Sequence, residues 1–171
     1  MIPKTGHRFS DKDNAPTKGG RLVIREPTIG ELPELGELCL RSKAVWGYDE
    51  KFMEACCGEL SFAADDLRAT RIAVAECGSG LAGVVQIKAT GTEADLLKLF
   101  IEPAILHNGI GIALFGWAAD EARKLGATQV IIEADPGAVP FYRRMGAHHV
   151  GFAPSRSIAG RMLPKLAFDL Y

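Results

Sequence analysis

The feature that most limits how this chain can fold is a strand, a long helix and a second strand in direct succession in its second half. The run EADLLKLFIEP has the composition of a strand that stops before Pro103. The run from about Gly109 to Leu125 is apolar at helical spacing, and Gly126 follows it as a suitable left-handed C-cap. The apolar run QVIIEAD predicts the second strand. This crossover predicts a mixed sheet with helices on both of its faces.

Apolar periodicity and turn residues divide the rest of the chain into short elements. The runs RIAVAEC and LAGVVQIKAT are joined by GSG and predict a hairpin with glycine in its turn. The order that results, β-α-α-β-β-β-α-β-α-β-β, belongs to the α/β class of mixed α+β type. The other predicted strands are 21–28, 148–153 and 164–171, and the other helices fall within 29–47, 48–60 and 138–146.

The composition is typical of one soluble domain. The chain has 171 residues, of which 47% are hydrophobic and 24% charged, and its formal net charge is −1. That balance gives no general attraction to nucleic acid or to anionic membranes, so neither is expected as a partner. No run reaches the roughly 18 to 20 apolar residues of a membrane span, and the first residues lack the apolar centre of a signal peptide. We therefore expect a flexible polar tail over residues 1–20, a single domain over residues 21–171 and a cytoplasmic location.

The cysteines are not spaced as metal ligands. Cys39, Cys56, Cys57 and Cys77 form no CxxC pair and lie near no histidine cluster. We therefore expect no metal cofactor. The cysteines are interpreted as small buried hydrophobic residues in a reducing compartment, with Cys56 and Cys57 facing inward from a helix.

Two glycines, Gly109 and Gly111, stand at the predicted start of the long helix. A helix N-terminus has unpaired backbone N–H groups and a partial positive charge, so it binds phosphate where side chains leave room. The dinucleotide pattern GxGxxG fails at Leu114, and the Gly-Lys-Ser/Thr of a P-loop does not follow. Taken alone, the two glycines leave open a phosphate-binding turn and a turn that only begins a helix.

With its surroundings, this turn resembles the GNAT family of acetyltransferases, which transfer an acetyl group from acetyl-CoA. The family motif Gln/Arg-x-x-Gly-x-Gly/Ala is matched at Gly109 and Gly111, with Leu106 in place of the Gln/Arg. A second family signature is a short helix with Asn-x-x-Ala-x-x-Phe-Tyr, a basic pair and a glycine. The stretch DPGAVPFYRRMG matches this signature except for its first residue. Both motifs lie within residues 96–147, and the order of elements agrees with the family over about residues 21–171.

The resemblance implies a mostly antiparallel mixed sheet with splayed central strands, acetyl-CoA as co-substrate and an amine as acceptor. It implies that amides of the glycine turn hold the CoA pyrophosphate, that His107 or Asn108 supplies substitute donors, and that strand N–H groups stabilise the oxyanion. Family members are often homodimers, so a homodimer is a further expectation. The implied cofactor-binding residues are Leu99, Phe100, Ile101, His107, Asn108, Gly109, Ile110, Gly111, Ile112, Ala138, Phe141 and Tyr142.

The resemblance also implies that an amine attacks the thioester carbonyl and that CoA leaves as a thiolate. Tyr142 occupies the family's tyrosine position, from which its hydroxyl supports the departing thiolate. A carboxylate that assists the amine is expected at strand ends, where Glu133, Asp135 and Glu102 are candidates in that order. Each has a structural alternative, which is packing for Tyr142, a strand-end charge for Glu133 and a helix N-cap for Asp135.

The segment SKAVWGYDEKFM links the first two predicted helices, and in the resembling proteins this link borders the acceptor. Trp46, Tyr48 and Phe52 are therefore expected either in an acceptor pocket or in the core. The late segment PSRSIAGRMLP has the polar character of a loop over the same cleft. In it, Arg156 and Arg161 meet either an anionic acceptor group or water.

Two other functions fit the same residues. The departures at Leu106 and Asp135 also suit a non-catalytic acyl-CoA-binding or sensor module that regulates a partner. The third alternative is an α/β nucleotide-binding domain, which would be stabilised by ATP or NAD and not by CoA.

Overall fold

A computed structural model describes residues 21–78, 80–105 and 109–171, and these ranges contain seven strands and five α-helices. The predicted tail over residues 1–20 lies outside the described part of the chain. The strands are β1 (Leu22–Arg25), β2 (Arg71–Cys77), β3 (Gly80–Thr90), β4 (Glu93–Ile101), β5 (Gln129–Glu133), β6 (His148–Pro154) and β7 (Met162–Asp169). The helices are α1 (Leu32–Ala44), α2 (Glu50–Cys56), α3 (Asp66–Ala69), α4 (Ile110–Lys124) and α5 (Val139–Met145).

The strands form one sheet in the order β1-β2-β3-β4-β5-β7-β6. Every neighbouring pair is antiparallel except β4 and β5, which are parallel and are joined by the crossover helix α4. The prediction of a mostly antiparallel mixed sheet is therefore confirmed. The order of the predicted elements is also confirmed, while the short helix α3 was not predicted.

The central strands β4 and β5 pair over only part of their length. Their last partners are Leu96 and Ile132, although β4 continues to Ile101. At the same point, Lys98 pairs with Gln86 of β3 and Leu96 with the next residue of β3, so Leu97 is an extra residue in β4. Such a β-bulge bends a strand and increases its twist. The bulge accounts for a gap that opens between β4 and β5 beyond Leu96, as the prediction of splayed central strands requires.

A separate apolar core lies on each face of the sheet. On one face, α4 and α5 cover the sheet, with Phe115 and Leu114 fully buried. On the other face, Leu35 and Leu38 of α1 are fully buried against the sheet. Neighbouring residues of β3 face opposite cores, which explains why its sequence is almost continuously apolar instead of alternating. Helices therefore cover both faces, as predicted.

Helix ends decide how the cysteines are placed. The Asp49 side chain caps α2 by accepting a 2.8 Å hydrogen bond from the Phe52 N–H, and the helix ends at Cys56. Cys57 therefore lies beyond the helix and is exposed, so its predicted inward orientation is wrong. Of the other cysteines, Cys39 and Cys56 are buried as predicted, and Cys77 is only half-buried.

Among the helices of the described ranges, none is long and apolar enough to cross a membrane.

Candidate active site

The gap between β4 and β5 exposes backbone groups of β4. The Glu102 N–H donates a 2.8 Å hydrogen bond to the Ala82 carbonyl near the start of β3. Because backbone N–H groups alternate sides along an antiparallel strand, the Phe100 N–H also points to β3, whereas those of Leu99 and Ile101 point into the gap. Of the three residues predicted to face the thioester through their amides, two therefore have the required direction and Phe100 does not.

The N-terminus of α4 begins at a left-handed glycine. Gly109 is the N-cap at φ +77°, a conformation that disfavours every residue with a Cβ. The first hydrogen bond within the helix runs from the Ala113 N–H to the Gly109 carbonyl, at 3.1 Å. The N–H groups of residues 110–112 therefore lie at the helix end without an intrahelical acceptor. Apart from its chain neighbours, no atom of the described residues lies within 4 Å of a Cβ placed on Gly109. On the side of the described residues, this end of α4 is open to an anionic ligand.

Gly111 has a different structural role. A Cβ at Gly111 would lie 3.4 Å from two ring atoms of Phe141 and 3.8 Å from the Ile101 side chain. Gly111 therefore lies where Phe141 of α5 packs against the first turn of α4. On either side of it, Ile110 is buried and Ile112 is 39% exposed. Only Gly109 is required by its own backbone conformation, since a Cβ at Gly111 would make ordinary van der Waals contact with Phe141.

Tyr142 lies on α5, where its ring packs into the apolar core and its hydroxyl is available as a hydrogen-bond donor. The residue is 7% exposed, and its ring centroid lies 6.0 Å from that of Phe115 and 5.2 Å from that of Phe141. Burial raises the pKa of the Tyr142 hydroxyl above its usual value, so it stays protonated at neutral pH. No hydrogen bond joins this hydroxyl to another described residue, and because no fully buried side-chain oxygen or nitrogen in the described ranges lacks a partner, the Tyr142 oxygen keeps some contact with solvent. Tyr142 therefore has both features expected of it: its ring packs in the core, and its hydroxyl can donate a hydrogen bond. Ala138 is partly buried against the same core.

The three candidate carboxylates have different surroundings. Asp135 caps the turn after β5 by accepting a 3.1 Å hydrogen bond from the Gly137 N–H, which confirms the N-cap alternative. Glu102 accepts hydrogen bonds of 3.2 and 2.7 Å from the Arg41 guanidinium. Glu133, the first residue of β5 beyond its pairing with β4, is exposed. Of these three carboxylates, Glu133 alone has no hydrogen bond or ion pair to another residue in the described part of the chain.

Tyr48 and Phe52 lie beside the end of β5. Their rings stack with a centroid distance of 3.9 Å and an interplanar angle of 11°. The Tyr48 hydroxyl donates to Asp135 Oδ2 at 2.5 Å and accepts from Arg161 Nη2 at 2.6 Å. Burial and the hydrogen bond to Asp135 raise the pKa of Tyr48, so this hydroxyl stays neutral. Three distant segments therefore meet at one phenol, namely the α1–α2 link, the end of β5 and the β6–β7 loop.

Trp46 lies at the surface of the same region. It is 50% exposed, so the core alternative is wrong for this residue. A Cβ at Gly137 would lie 2.6 Å from the indole ring, so the glycine leaves the space that Trp46 occupies over the turn after β5. The α1–α2 link is thereby held against that turn.

Lys43, in the last turn of α1, belongs to this group although the sequence did not single it out. Its Nζ lies 3.7 Å from Asp135 Oδ2 and 5.5 and 5.9 Å from the ring centroids of Tyr48 and Phe52. A lysine near the C-terminus of a helix is expected to face solvent and to interact with the helix dipole, so no local signal marked it. Arg161 is half-buried in the group, whereas Arg156 of the same loop is exposed.

One part of the predicted site has no structural description. His107 and Asn108, expected to contact the pyrophosphate, lie outside the described residues. In the ranges that are described, no three His, Cys, Asp or Glu side chains are grouped so that they could hold a metal ion.

Comparison with known proteins identifies this architecture. A family model described as an acetyltransferase (GNAT) domain matches residues 47–156. No curated protein sequence matches the chain significantly.

Many solved structures have the same fold. A GCN5-related N-acetyltransferase from Rhodopseudomonas palustris has a TM-score of 0.72 at 17% identity, over 86% of this chain and 95% of that one. PaiA N-acetyltransferase from Thermoplasma acidophilum, in complex with coenzyme A, has a TM-score of 0.67 at 19% identity, over 86% and 98%. The ribosomal-protein-S18-alanine N-acetyltransferase from Escherichia coli has a TM-score of 0.65 at 16% identity, over 87% and 94%. At sequence identities of 16% to 19%, these structural similarities show that the fold is shared and no more.

Proposed function

This chain belongs to the GNAT acetyltransferase family, since the family match covers more than half of it, and we propose that it transfers an acetyl group from acetyl-CoA to a primary amine of a small molecule or peptide. The observation that carries the proposal is the position of the open N-terminus of α4 next to the gap between β4 and β5. The binding of coenzyme A by PaiA N-acetyltransferase, a protein of the same fold, supports acetyl-CoA as the donor.

In this proposal, the first turn of α4 binds the pyrophosphate of the cofactor. The N–H groups of residues 110–112 supply donors, and the partial positive charge of the helix end favours a dianionic ligand. Gly109 leaves the approach free, while the contact of Phe141 with Gly111 holds α5 and therefore Tyr142 beside the helix end. His107 and Asn108 remain predicted contacts. The acyl-pantetheine arm would then extend along the gap, where the amides of Leu99 and Ile101 are directed.

The chemistry is a direct attack within a ternary complex. The amine lone pair forms a bond to the thioester carbon, and the carbonyl electrons move to oxygen, where an N–H of Leu99 or Ile101 stabilises the negative charge. Collapse of this intermediate re-forms the carbonyl, breaks the C–S bond and releases CoA thiolate. Tyr142 donates a hydrogen bond to that sulfur. Since the raised pKa of Tyr142 lies above the value of about 8.5 for a thiol, the hydrogen bond and not full proton transfer is its contribution.

Proton removal from the amine is assigned to Glu133. An alkyl amine with a pKa of about 10.4 is neutral in only about one molecule in 2,500 at pH 7, so a base or a water chain has to assist. Asp135 and Glu102 are occupied by other donors, while Glu133 is exposed at the mouth of the gap. We propose that Glu133 accepts the proton through water.

The occupied carboxylates also favour a second candidate, a non-catalytic acyl-CoA-binding or sensor module. In that case, acetyl-CoA binds in the same place but no amine is acetylated. Asp135 would then serve only as an N-cap and as the acceptor of the Tyr48 hydroxyl.

The test combines binding and turnover. Isothermal titration of acetyl-CoA into the wild-type protein measures binding, and release of the CoA thiol in the presence of a broad amine panel measures transfer. We expect saturable binding and amine-dependent release, and in Tyr142→Phe a slower release with little change in cofactor affinity. Binding without turnover would support the sensor module. Stabilisation by ATP or NAD without binding of acetyl-CoA would overturn both.

A further inference from the structure

We propose that the acceptor amine carries a carboxylate, as a small amino acid does, and that Lys43 and Arg161 bind this carboxylate. The inference rests on the proposed acetyl transfer and names the class of acceptor for it. It is carried by the charges around Tyr48, and we call this group the Tyr48 cluster. Its members are Lys43, Tyr48, Phe52, Asp135 and Arg161.

The Tyr48 cluster contains one more positive than negative charge. The side chains of Lys43, Asp135 and Arg161 are 15%, 13% and 19% exposed, so all three charges are largely withdrawn from water. Asp135 Oδ2 lies 3.7 Å from Lys43 Nζ and 3.5 Å from Arg161 Nη2, so one carboxylate serves two cations. A charge removed from water without a partner is costly, and a second anion in this place would relieve that cost.

The unused hydrogen-bond donors show where such an anion would bind. Arg161 uses Nη2 for Tyr48 and Asp135, and its other guanidinium N–H groups have no acceptor among the described residues. Lys43 makes no hydrogen bond to another residue in those ranges, since its shortest contact to an oxygen is the 3.7 Å ion pair. A guanidinium and an ammonium together can bind both oxygens of one carboxylate.

The Tyr48 cluster is held in place before any ligand arrives. Arg161 lies 5.0 Å from the Tyr48 ring centroid and 4.9 Å from that of Phe52, within the range of a cation–π contact. Its loop is tied down by a hydrogen bond from the Ser157 hydroxyl to Glu59 and by a 3.1 Å bond from the Ile158 N–H to the Ser155 hydroxyl. An ordered guanidinium binds a carboxylate with less loss of conformational entropy than a mobile one.

The position of the Tyr48 cluster agrees with a role in acceptor binding. Asp135 follows the proposed base Glu133 by two residues at the end of β5, beside the gap where the thioester would lie. A short acceptor with its carboxylate on Lys43 and Arg161 has its amine on the side of Glu133. The low exposure of the two cations favours a small ligand over the flat surface of a protein.

The experiment compares matched acceptors at saturating acetyl-CoA, with release of the CoA thiol as readout. Each α- or ω-amino acid of the panel is paired with its own carboxamide, which keeps the amino group and nearly the same shape but lacks the negative charge of the carboxylate. For the wild type we expect the better acceptors to be the carboxylates. In Lys43→Met and in Arg161→Met, we expect the KM of carboxylate acceptors to rise about 10- to 100-fold, while kcat and the KM of the carboxamides change little.

The variants are designed to remain folded and to separate the proposals. Each single substitution leaves one cation for Asp135, and unchanged affinity for acetyl-CoA shows that the cofactor site is intact. Arg156→Gln, an exposed arginine of the same loop, is the control and keeps wild-type constants. Equal use of carboxylates and carboxamides by the wild type, preference for acidic peptides over amino acids, or an equal loss on both members of a pair would overturn the inference. If acetyl-CoA binds but no amine is acetylated, the proposed function itself fails.

Discussion

Replacing Gly109 by alanine separates the cost of backbone strain from the loss of a phosphate site. Gly109 has φ +77° and begins α4, while Gly126 has φ +86° and follows the end of the same helix. Among the described residues other than chain neighbours, no atom lies within 4 Å of a Cβ at either position, so the two substitutions differ in location and hardly in sterics. A left-handed conformation costs a residue with a Cβ about 1–2 kcal/mol. We expect both variants to lose about that much stability, with a fall in Tm of about 2–4 °C per kcal/mol for a domain of this size.

Only Gly109→Ala is expected to change cofactor binding. The alanine relieves its strain by rotating the peptide units that align the N–H groups of residues 110–112, and its methyl group enters the space in front of them. A hydrogen bond to a charged group contributes about 1.5–3 kcal/mol. Loss of one such bond raises the Kd of acetyl-CoA by about 10- to 100-fold. Gly126→Ala, at the opposite end of the helix, keeps the wild-type Kd within about twofold by the same reasoning.

Isothermal titration calorimetry of acetyl-CoA and thermal melts of the three proteins make the comparison. Equal Tm losses with a weakened Kd in Gly109→Ala alone would support the proposed pyrophosphate site. A wild-type Kd in Gly109→Ala, or equal weakening in both variants, would refute the argument that this helix end holds the pyrophosphate. Gly109→Trp places a large ring in the same space and is expected to weaken acetyl-CoA binding further than Gly109→Ala does.

Two further predictions concern the carboxylates at the end of β5 and the buried tyrosine. Glu133→Gln should lower kcat, measured by thiol release, by about 100-fold or more at pH 7, with stability in urea unfolding unchanged to within about 0.5 kcal/mol. Asp135→Ala should cost more than about 1 kcal/mol in urea unfolding, since it removes both the N-cap and the carboxylate that pairs with Lys43 and Arg161. Wild-type kcat in Glu133→Gln would remove it as the base. Because burial raises the pKa of Tyr142 in the folded protein, the unfolded chain loses this proton first above about pH 10, and stability falls there as pH rises. Tyr142→Phe should show a shallower fall than the wild type in urea unfolding between pH 9 and 11, and identical slopes would contradict the burial argument.

The order of the elements could be predicted from the sequence because its causes are local. The alternation and continuity of apolar residues, the glycine turns and Pro103 each act within a few residues, and they mark the strands and the crossover helix α4. The requirement for glycine at position 109 is of the same kind, since a helix start with φ +77° excludes most other residues locally. Gly126 was predicted as a left-handed C-cap; it does have φ +86°, as the same local rule requires, but it lies one residue beyond the C-cap, which is Leu125.

Contacts between distant segments could not be predicted in this way. Gly111 has no special backbone requirement, and its role follows from Phe141, which approaches it from another helix. Cys57 was expected to face inward because its spacing continues that of α2, but the helix ends one residue earlier. The bulge at Leu97, which opens the gap, depends on how β3 pairs with β4.

The Tyr48 cluster shows the division most clearly. The sequence by itself determined that an aromatic link, an aspartate after a strand and a late arginine exist in separate loops. Tertiary structure alone decided that Tyr48 reaches Asp135, 87 positions away, that Arg161 reaches Tyr48 across 113 positions, and that Lys43 joins them. Local preferences set the conformation of each segment, but the surplus of positive charge arises from the sum of groups that only the folded sheet brings together.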